Sequence, residues 1–513
     1  MAQVTRKIGL SLGADLCWPK CYEDIVAKLD LAIPMGRDKV RFQVERMSIE
    51  PYDLQAAAKY DVVVDRLTHW YAPTREWIKK AILLDGTYVF NNPWSVQSME
   101  KHTTYAAMMA LGIPIPKTAM IPPKEYEPKA DLQVTLQRYA KLFNLGQVGT
   151  DVGYPAFMKP YDGGGWQGVT KIDNEDELRE AYEKSGKMVM HLQKGVVPYD
   201  LFVRCIGFGP QTKTIKYDPS APLHGRYTTE TGFIDAKDQS LIEDITLTIN
   251  AFFGWDFNSC EALLKDHVWH PIDFANPCPD SQITSLHQHF PWLVKSYIRW
   301  SIFCAATKRP MRAALDWQPF FDVKKKGLPY RETVAAYAKI ARQRLDADKF
   351  EEFCAKHLSH LDDVANEYFG TEECREIFRQ KVTALFPAHE VDHFTAHFFD
   401  EVQKWRAADT AERSAKPHSG GKRAKVVVSA RSSKKSKPAK TLGQPKAKVV
   451  AVKARVAKSK PSAKTVKSAG SKTKMSAATK SNGALSKNTM SKNAASKNSK
   501  SSNAKSSKAK VRK

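Results

Sequence analysis

The sequence predicts a mixed α/β protein with four parts: an α/β N-terminal layer, an α+β central domain, a helical C-terminal appendix and a disordered tail. Three observations predict this order. Strand-like and helical patterns alternate in the first part, glycine and proline separate strand patterns between Tyr154 and Asn276, and apolar spacing becomes helical from Gln282 to Ala408. The expected boundaries are 1–97, 98–280, 281–413 and 414–513.

The N-terminal layer is expected to be a parallel sheet flanked by helices. The predicted strands lie at 7–13, 40–49, 61–65 and 88–90, and the predicted helices at 22–29 and 74–84. Alternation of this kind is typical of parallel α/β sheets. Only Gly9 and Gly13 occur near the first strand, so the glycine fingerprint of dinucleotide-binding folds is missing.

The positive charge of the chain is concentrated in its last hundred residues. The 513-residue chain has a formal net charge of +25. Of its 80 lysines and arginines, 29 lie in 414–513, where there is no acidic or aromatic residue, and the other 51 stand against 55 acidic residues. Such a segment cannot bury enough apolar surface to offset the entropy lost on ordering. We expect a mildly acidic body and a disordered, polycationic tail.

The composition of the chain also predicts where in the cell the protein is located. Arg6 and Lys7 occur in a start without an apolar run of signal-peptide length, and no stretch of eighteen uncharged apolar residues occurs, so we expect no membrane partner. Eight scattered cysteines do not form a disulfide framework, and Cys17 and Cys21 lack a second pair at zinc-ribbon spacing. We expect reduced thiols in a cytoplasmic protein, which its tail could bring to a nucleoid or to chromatin.

A glycine-rich stretch follows a short strand in the central domain. The sequence YPAFMKPYDGGGWQGV places the predicted strand Ala156 to Met158 directly before Lys159. Glycines let backbone N–H groups approach an anion closely, and a lysine at the strand end offers charge to the same phosphates. The stretch predicts a phosphate-binding loop, and a hairpin turn with a solvated lysine is the alternative. The loop glycines are Gly163, Gly164, Gly165 and Gly168.

A second motif lies about a hundred residues further on. In FNSCEALLKDHVWHPIDFANP, Glu261 and Asp273 are twelve residues apart and Asn276 follows three later. The residues between the acids predict strand, turn and strand, so the two carboxylates could face each other across a hairpin. Two carboxylates and an amide oxygen suit Mg²⁺, which prefers oxygen ligands and bridges phosphates. Ordinary surface acids are the alternative, although acids among apolar residues usually have a partner.

Together these motifs resemble the ATP-grasp superfamily, especially its ribosomal-protein-modifying and glutathione-synthetase-like branches. The resemblance runs from about Val89 to Asp280 and makes 98–280 the ATP-grasp domain. It implies roles for individual residues. The phosphates of ATP would be held by Lys101, Lys159 and the mobile loop Gly163, Gly164, Gly165, Trp166 and Gly168. The adenine would be bound by the hinge Gln193, Lys194 and Val196, and the ribose by Asp200. The transferred phosphoryl group would be bound by Lys216 or Arg226, and Mg²⁺ by Glu261, Asp273 and Asn276.

The resemblance implies an ATP- and Mg-dependent ligase. In this chemistry a carboxylate takes the γ-phosphoryl group to give an acylphosphate, which an amine or a similar nucleophile then attacks. One departure from the family pattern concerns the metal. The family typically has one residue between its final acid and asparagine, whereas two separate Asp273 from Asn276, and Phe274 occupies the acid position. Asp273 would need a β-bulge to reach the same ion, so the sequence is compatible with either one or two bound Mg²⁺ ions.

Two other functions compete with the ligase hypothesis. His389, Glu390 and His393 spell H-E-x-x-H, with His397 four residues later, so a zinc hydrolase is one alternative. Pro387 would place His389 in the first helical turn, where such motifs do not usually begin. The basic tail resembles those of linker histones and predicts nonspecific binding to DNA, RNA or another polyanion. A nucleotide-sensing, nucleic-acid-associated protein with a degenerate ATP-grasp site is therefore the other alternative.

Overall fold

Three β-sheets make up the sheet structure in the part of the chain that the computed structural model describes, residues 2–48, 50–67, 71–98, 100–162 and 167–415. The expected mixed architecture is confirmed there, with an α/β N-terminal layer, a central domain that mixes strands and helices, and a helical C-terminal region. The contacts group Met1–Lys422 into one unit, to which all these residues belong. The tail expected from Ser414 lies outside the described residues from position 416 onward.

The N-terminal sheet is parallel except at one edge. Its strands are β1 (Ala2–Ser11), β2 (Ala32–Met35), β3 (Asp38–Arg46), β4 (Val62–Asp65) and β5 (Tyr88–Phe90), accompanied by helices α1 (Trp18–Leu29) and α2 (Ala72–Asp85). In the described residues the order is β2-β3-β1-β4-β5, and only β2 pairs antiparallel. Val62, Val63 and Val64 are almost completely buried, which explains their continuous apolar run.

The central domain contains two antiparallel sheets. The loop sheet consists of β6 (Thr118–Ile121), β7 (Ala156–Pro160), β8 (Thr170–Ile172) and β9 (Met190–Lys194), in the order β6-β9-β7-β8 among the described strands. The hairpin sheet consists of β10 (Leu201–Phe208), β11 (Gln211–Lys216), β12 (Phe257–Lys265) and β13 (Val268–Asp273), in the order β11-β10-β12-β13. The helices of this region are α3 (Pro93–Ser98), α4 (Lys101–Leu111), α5 (Ala130–Tyr139), α6 (Leu145–Val152), α7 (Glu175–Ser185) and α8 (Ala236–Phe253).

The C-terminal region is helical, as expected, and its helices contribute to the main core. Its helices are α9 (Ile283–Leu286), α10 (Phe290–Thr307), α11 (Gln318–Lys325), α12 (Tyr330–Arg344), α13 (Ala347–His357), α14 (Leu361–Tyr368), α15 (Glu372–Thr383) and α16 (Val391–Ala415). Helix α10 is buried along most of its length, and the Tyr297 ring stacks on Trp18 of α1 at 4.1 Å. None of the described helices is both long and apolar enough to cross a bilayer.

The hydrophobic cores divide the chain differently from the sequence boundaries. One large core joins the N-terminal sheet, the hairpin sheet and the C-terminal helices. The loop sheet has a smaller core of its own, built from residues such as Met158, Leu178 and Leu192. The two central sheets therefore belong to different cores. The loop sheet forms one side of the space between them, and the hairpin sheet forms the other side.

One buried side chain, that of Asn91, links the N-terminal sheet to the segment that carries the predicted metal ligands. Its Nδ2 donates to the carbonyl oxygens of Phe257 and Pro277, both at 2.7 Å, and its Oδ1 accepts from the N–H of Phe257 at 2.7 Å. Asn91 is 4% exposed. Because the contacted residues lie at the two ends of the hairpin motif, Asn91 holds that motif at both ends.

Replacement of Asn91 by alanine should lower the free energy of unfolding by about 3 kcal/mol, because buried backbone groups would lose their partner. Urea unfolding monitored by tryptophan fluorescence measures the change. The control is Asn174→Ala, since Asn174 caps α7 through an exposed bond to the Glu177 N–H at 3.0 Å and should cost only about 1 kcal/mol. Equal losses in the two variants would contradict the linking role of Asn91.

Candidate active site

A cavity of about 850 Å³ is lined by residues of the loop sheet on one side and of the hairpin sheet on the other. Most of the residues that the sequence nominated meet there. They come from α4, from both sheets and from the segments that follow β9, β11 and β13. The nominated residues that line the cavity are Lys101, Lys159, Gln193, Lys194, Val196, Arg226, Glu261, Asp273 and Asn276.

Several nominated residues do not line this cavity. Lys216 forms an ion pair with Glu230 at 2.6 Å, and Asp200 is exposed on the surface. Gly168 is also exposed, although its neighbours Gln167 and Val169 line the cavity. The remaining loop residues, Gly163, Gly164, Gly165 and Trp166, lie outside the described residues.

Two lysines lie at one end of the cavity. Lys159, at the end of β7, is 8% exposed and donates to Gln193 Oε1 at 2.9 Å and to the Ile272 carbonyl oxygen at 3.0 Å. Lys101, the first residue of α4, lies 3.5 Å from Asp273 Oδ2. Burial lowers the pKa of Lys159 to about 8, against the opposing pull of Asp273. Two cations beside a helix N-terminus suit an anionic ligand.

The two predicted acids face each other across the β12–β13 hairpin. Glu261 pairs in register with Asp273, whereas the next residue, Ala262, pairs with Pro271. Ile272 is therefore an extra residue on β13, which is a β-bulge. The bulge that Asp273 would need to reach the metal position is thus present.

Arg204 balances the charge of Glu261 from the neighbouring strand β10. Its guanidinium pairs with the Glu261 carboxylate and also donates to the Tyr227 hydroxyl. Burial raises the pKa of Glu261, and the positive charge of Arg204 opposes this rise. Sequence analysis missed Arg204, although a charged residue within the apolar strand LFVRCIGF was a usable signal.

The third predicted metal ligand, Asn276, is held in place by a second asparagine. Asn258 is completely buried, accepts from the Asn276 N–H at 3.0 Å and donates to the Phe274 carbonyl oxygen at 3.0 Å. The Asn276 amide nitrogen donates to Ser259 Oγ at 2.8 Å, which leaves its amide oxygen as the atom that can face a cation. Asn258 was not nominated from the sequence.

The donor set at this end of the cavity fits a divalent cation with oxygen ligands. Asp273 Oδ1 is buried and has no hydrogen-bond partner among the described residues. A buried carboxylate oxygen without a donor is costly, and a cation would relieve that cost. Together with Glu261 and the amide oxygen of Asn276, Asp273 matches the ligand preference of Mg²⁺.

The opposite end of the cavity is an apolar slot beside a backbone hinge. Its walls include Phe157 from the loop sheet and Phe202 and Leu263 from the hairpin sheet. The hinge approaches a neighbouring segment closely, because Gly195 N donates to the Pro155 carbonyl oxygen at 2.8 Å, and a Cβ on Gly195 would lie 2.9 Å from that oxygen. A flat apolar group with a polar edge suits such a slot.

The H-E-x-x-H motif does not form a zinc-binding helix. His389 and Glu390 lie in the short 3-10 turn Ala388–Glu390, whereas His393 belongs to α16. The His389 side chain is 80% exposed. Across the described ranges, no group of three or more His, Cys, Asp or Glu residues is arranged to hold a metal ion. The zinc hydrolase alternative is therefore not supported.

Removal of the Arg204 charge should expose the cost of burying Glu261 alone. Arg204→Met should lower the free energy of unfolding by about 3 to 5 kcal/mol, because an unpaired carboxylate would stay buried. The double variant Arg204→Met, Glu261→Gln should recover a large part of this loss, since neither charge remains. Urea unfolding of the two single variants, the double variant and the wild type measures the coupling. Additive losses would show that the two side chains do not stabilise each other.

Neither a protein-family model nor a curated protein matches the chain. Among solved structures, the chain is similar to a RimK domain ATP-grasp protein of Sphaerobacter thermophilus, with 12% identity, a TM-score of 0.36 and coverage of 53% of this chain and 92% of that chain. It is also similar to D-alanine–D-alanine ligase of Bacillus anthracis, with 13% identity, a TM-score of 0.37 and coverage of 67% and 99%. VanG D-Ala:D-Ser ligase of Enterococcus faecalis has 13% identity, a TM-score of 0.38 and coverage of 57% and 95%. These neighbours are ATP-grasp proteins. Because the TM-scores are low, the functional proposal rests on the geometry of the cavity and not on these similarities.

Proposed function

We propose that the protein binds Mg-ATP in this cavity and uses it to join a carboxylate to an amine or a similar nucleophile. The observation that carries the proposal is the meeting of two buried lysines with the Glu261–Asp273 pair at one end of a cavity whose other end is apolar. Polyphosphates need cations, and a divalent metal bridging them needs oxygen ligands. A nucleotide base needs an apolar slot with a polar edge.

The shape of the cavity supports one orientation of the nucleotide. The base would enter the slot between Phe157 and Leu263, beside the hinge that follows β9, and the phosphates would extend towards Lys101 and Lys159. Ligand pockets commonly have volumes of roughly 300 to 1,000 Å³. At about 850 Å³ the cavity is near the upper end of that range, so it has room for a second substrate beside the nucleotide.

The metal would be held by Glu261, Asp273 and Asn276. When bound, Mg²⁺ neutralises charge that develops on the phosphates during phosphoryl transfer. The protein contributes the positions of the ligands: the hairpin register and the bulge set the two acids opposite each other, and Asn258 sets Asn276. Burial raises the pKa of Glu261, and Arg204 opposes this rise and so favours the ionised form that a metal ligand requires.

The acceptor substrates would occupy the part of the cavity lined by Tyr217, Leu223 and Arg226. The Arg226 Nε donates to the Ala221 carbonyl oxygen at 3.1 Å, and the guanidinium lines the cavity. This charge would attract a carboxylate or the transferred phosphoryl group. Positioning and cationic stabilisation supply most of the acceleration in such reactions, so no covalent nucleophile on the protein is required.

The binding of polyanions by residues 414–513 stays a prediction from the sequence. All but the first two of these residues lie outside the described residues. An association with a nucleoid or with chromatin depends on the same segment and stays a prediction as well.

Replacement of Lys159 by methionine should weaken Mg-ATP binding by about a hundredfold, because a buried cation that contacts the phosphates would be lost. Isothermal titration of the full chain with Mg-ATP measures the change. The matched control is Lys216→Met, which removes a lysine that is paired with Glu230 outside the cavity and should change affinity by less than about twofold. Both variants keep the basic tail, so nonspecific binding of ATP by the tail is the same. Equal effects of the two substitutions would place the nucleotide elsewhere.

Release of ADP and phosphate separates a ligase from a nucleotide sensor. The wild type should release both products only when a carboxylate and an amine are present together. In Asp273→Asn the rate should fall by about a hundredfold or more, because a metal ligand loses its charge. A coupled assay for ADP across a library of carboxylate and amine pairs measures this. Tight Mg-ATP binding without release for any pair would favour the nucleotide-sensing alternative.

A further inference from the structure

The backbone carbonyl of Ile272 accepts two hydrogen bonds in the middle of the site. The Tyr105 hydroxyl donates to it at 2.6 Å and the Lys159 ammonium at 3.0 Å. Ile272 is the bulged residue of β13, so its carbonyl lies outside the regular ladder of the hairpin. Since a carbonyl oxygen has two lone pairs, these two donors fill its capacity.

Tyr105 approaches this carbonyl from the helix that also carries Lys101. The two residues are four positions apart on α4 and therefore share one face. Lys101 contacts Asp273 and Tyr105 contacts Ile272, so one helix face holds two consecutive residues of the bulged strand. The Tyr105 side chain is 1% exposed, and its ring packs edge-on against Phe274 at 5.3 Å.

The Lys159 ammonium can bind either acceptors of the protein or a phosphate in the cavity. Its ammonium is bound by protein acceptors, and it also lies 5.3 Å from the centre of the Tyr105 ring. The ammonium has three N–H donors, and the Gln193 and Ile272 oxygens take two of them. If the ammonium turns to offer a phosphate more than the one remaining donor, its bond to the Ile272 carbonyl is lost. A buried carbonyl that keeps no donor is costly, so a second donor at Ile272 favours this exchange.

We propose that Tyr105 is a positioning residue of the nucleotide and metal site. Its hydroxyl satisfies the Ile272 carbonyl when Lys159 turns to the phosphates, and it thereby keeps the bulge formed and Asp273 opposite Glu261. The inference rests on the proposed binding of Mg-ATP. It assigns Tyr105 two effects: release of the lysine to the nucleotide, and maintenance of the metal ligand in its register.

Replacement of Tyr105 by phenylalanine tests the proposal, because it keeps the ring and removes only the hydroxyl. Affinity for Mg-ATP should fall about tenfold, and the Mg²⁺ concentration that gives half-maximal ATP binding should rise about threefold or more. Isothermal titration of the full chain with ATP at a series of Mg²⁺ concentrations gives both values without any need for turnover.

The matched control is Tyr337→Phe. The Tyr337 hydroxyl is also buried and also donates to a carbonyl of α4, that of Leu111, at 3.0 Å, but Tyr337 does not line the cavity. Both variants should unfold at slightly lower urea concentrations than the wild type. Only Tyr105→Phe should change the response to ATP and Mg²⁺.

The possible results of this comparison distinguish a positioning role of Tyr105 from a purely structural one. If the wild type binds Mg-ATP and Tyr105→Phe binds it equally well, the positioning role is overturned and the proposed function stands. If both tyrosine variants weaken binding to the same extent, the role of Tyr105 is only structural and the inference is likewise overturned. A wild type that shows no binding overturns the proposed function, and the inference with it.

Discussion

The structure around the cavity depends on a balance among buried charges. Lys101 pairs with Asp273, Arg204 pairs with Glu261, and Lys159 lies near both acids. Most of these five side chains are nearly inaccessible to solvent. None of them could be buried alone, since an isolated ion in a protein interior costs several kcal/mol. The hairpin register, the bulge and the placement of α4 all bring each charge to a partner. Charge pairing therefore constrains the fold of this region in addition to apolar packing.

Local sequence was sufficient to predict the features that depend on neighbouring residues. The hairpin with Glu261 and Asp273 could be predicted because its turn lies between the two acids, and the need for a bulge followed from comparing the Asp273–Asn276 spacing with the ATP-grasp pattern that the sequence resembles. The mixed fold was predictable for the same reason, since periodicity is a local property. Arg204 was missed because its partner Glu261 is 57 positions away, and only the pairing of β10 with β12 brings them together.

The side on which a strand residue faces was harder to predict than the strand itself. Tyr217 follows β11 and lines the cavity, whereas Lys216, one position earlier, pairs with Glu230 and does not. Neighbouring residues of an extended segment point to opposite sides, so a shift of one position moves a candidate out of the site. In the irregular segment before β10, Tyr199 also lines the cavity and Asp200, one position later, does not. The helical character of the C-terminal region was predictable, but its packing was not, because periodicity does not show what a helix packs against, and α10 is buried in the main core.

The separate core of the loop sheet has a consequence for how the protein could change over evolution. The residues that pack this sheet do not belong to the core that supports the acids and the C-terminal helices. Substitutions within it would shift the loop-sheet wall of the cavity while the large core keeps its packing. The hairpin-sheet wall belongs to the large core, where most changes disturb many neighbours. The two walls of the cavity could therefore evolve at different rates in this architecture, with the loop-sheet wall as the more tolerant of the two.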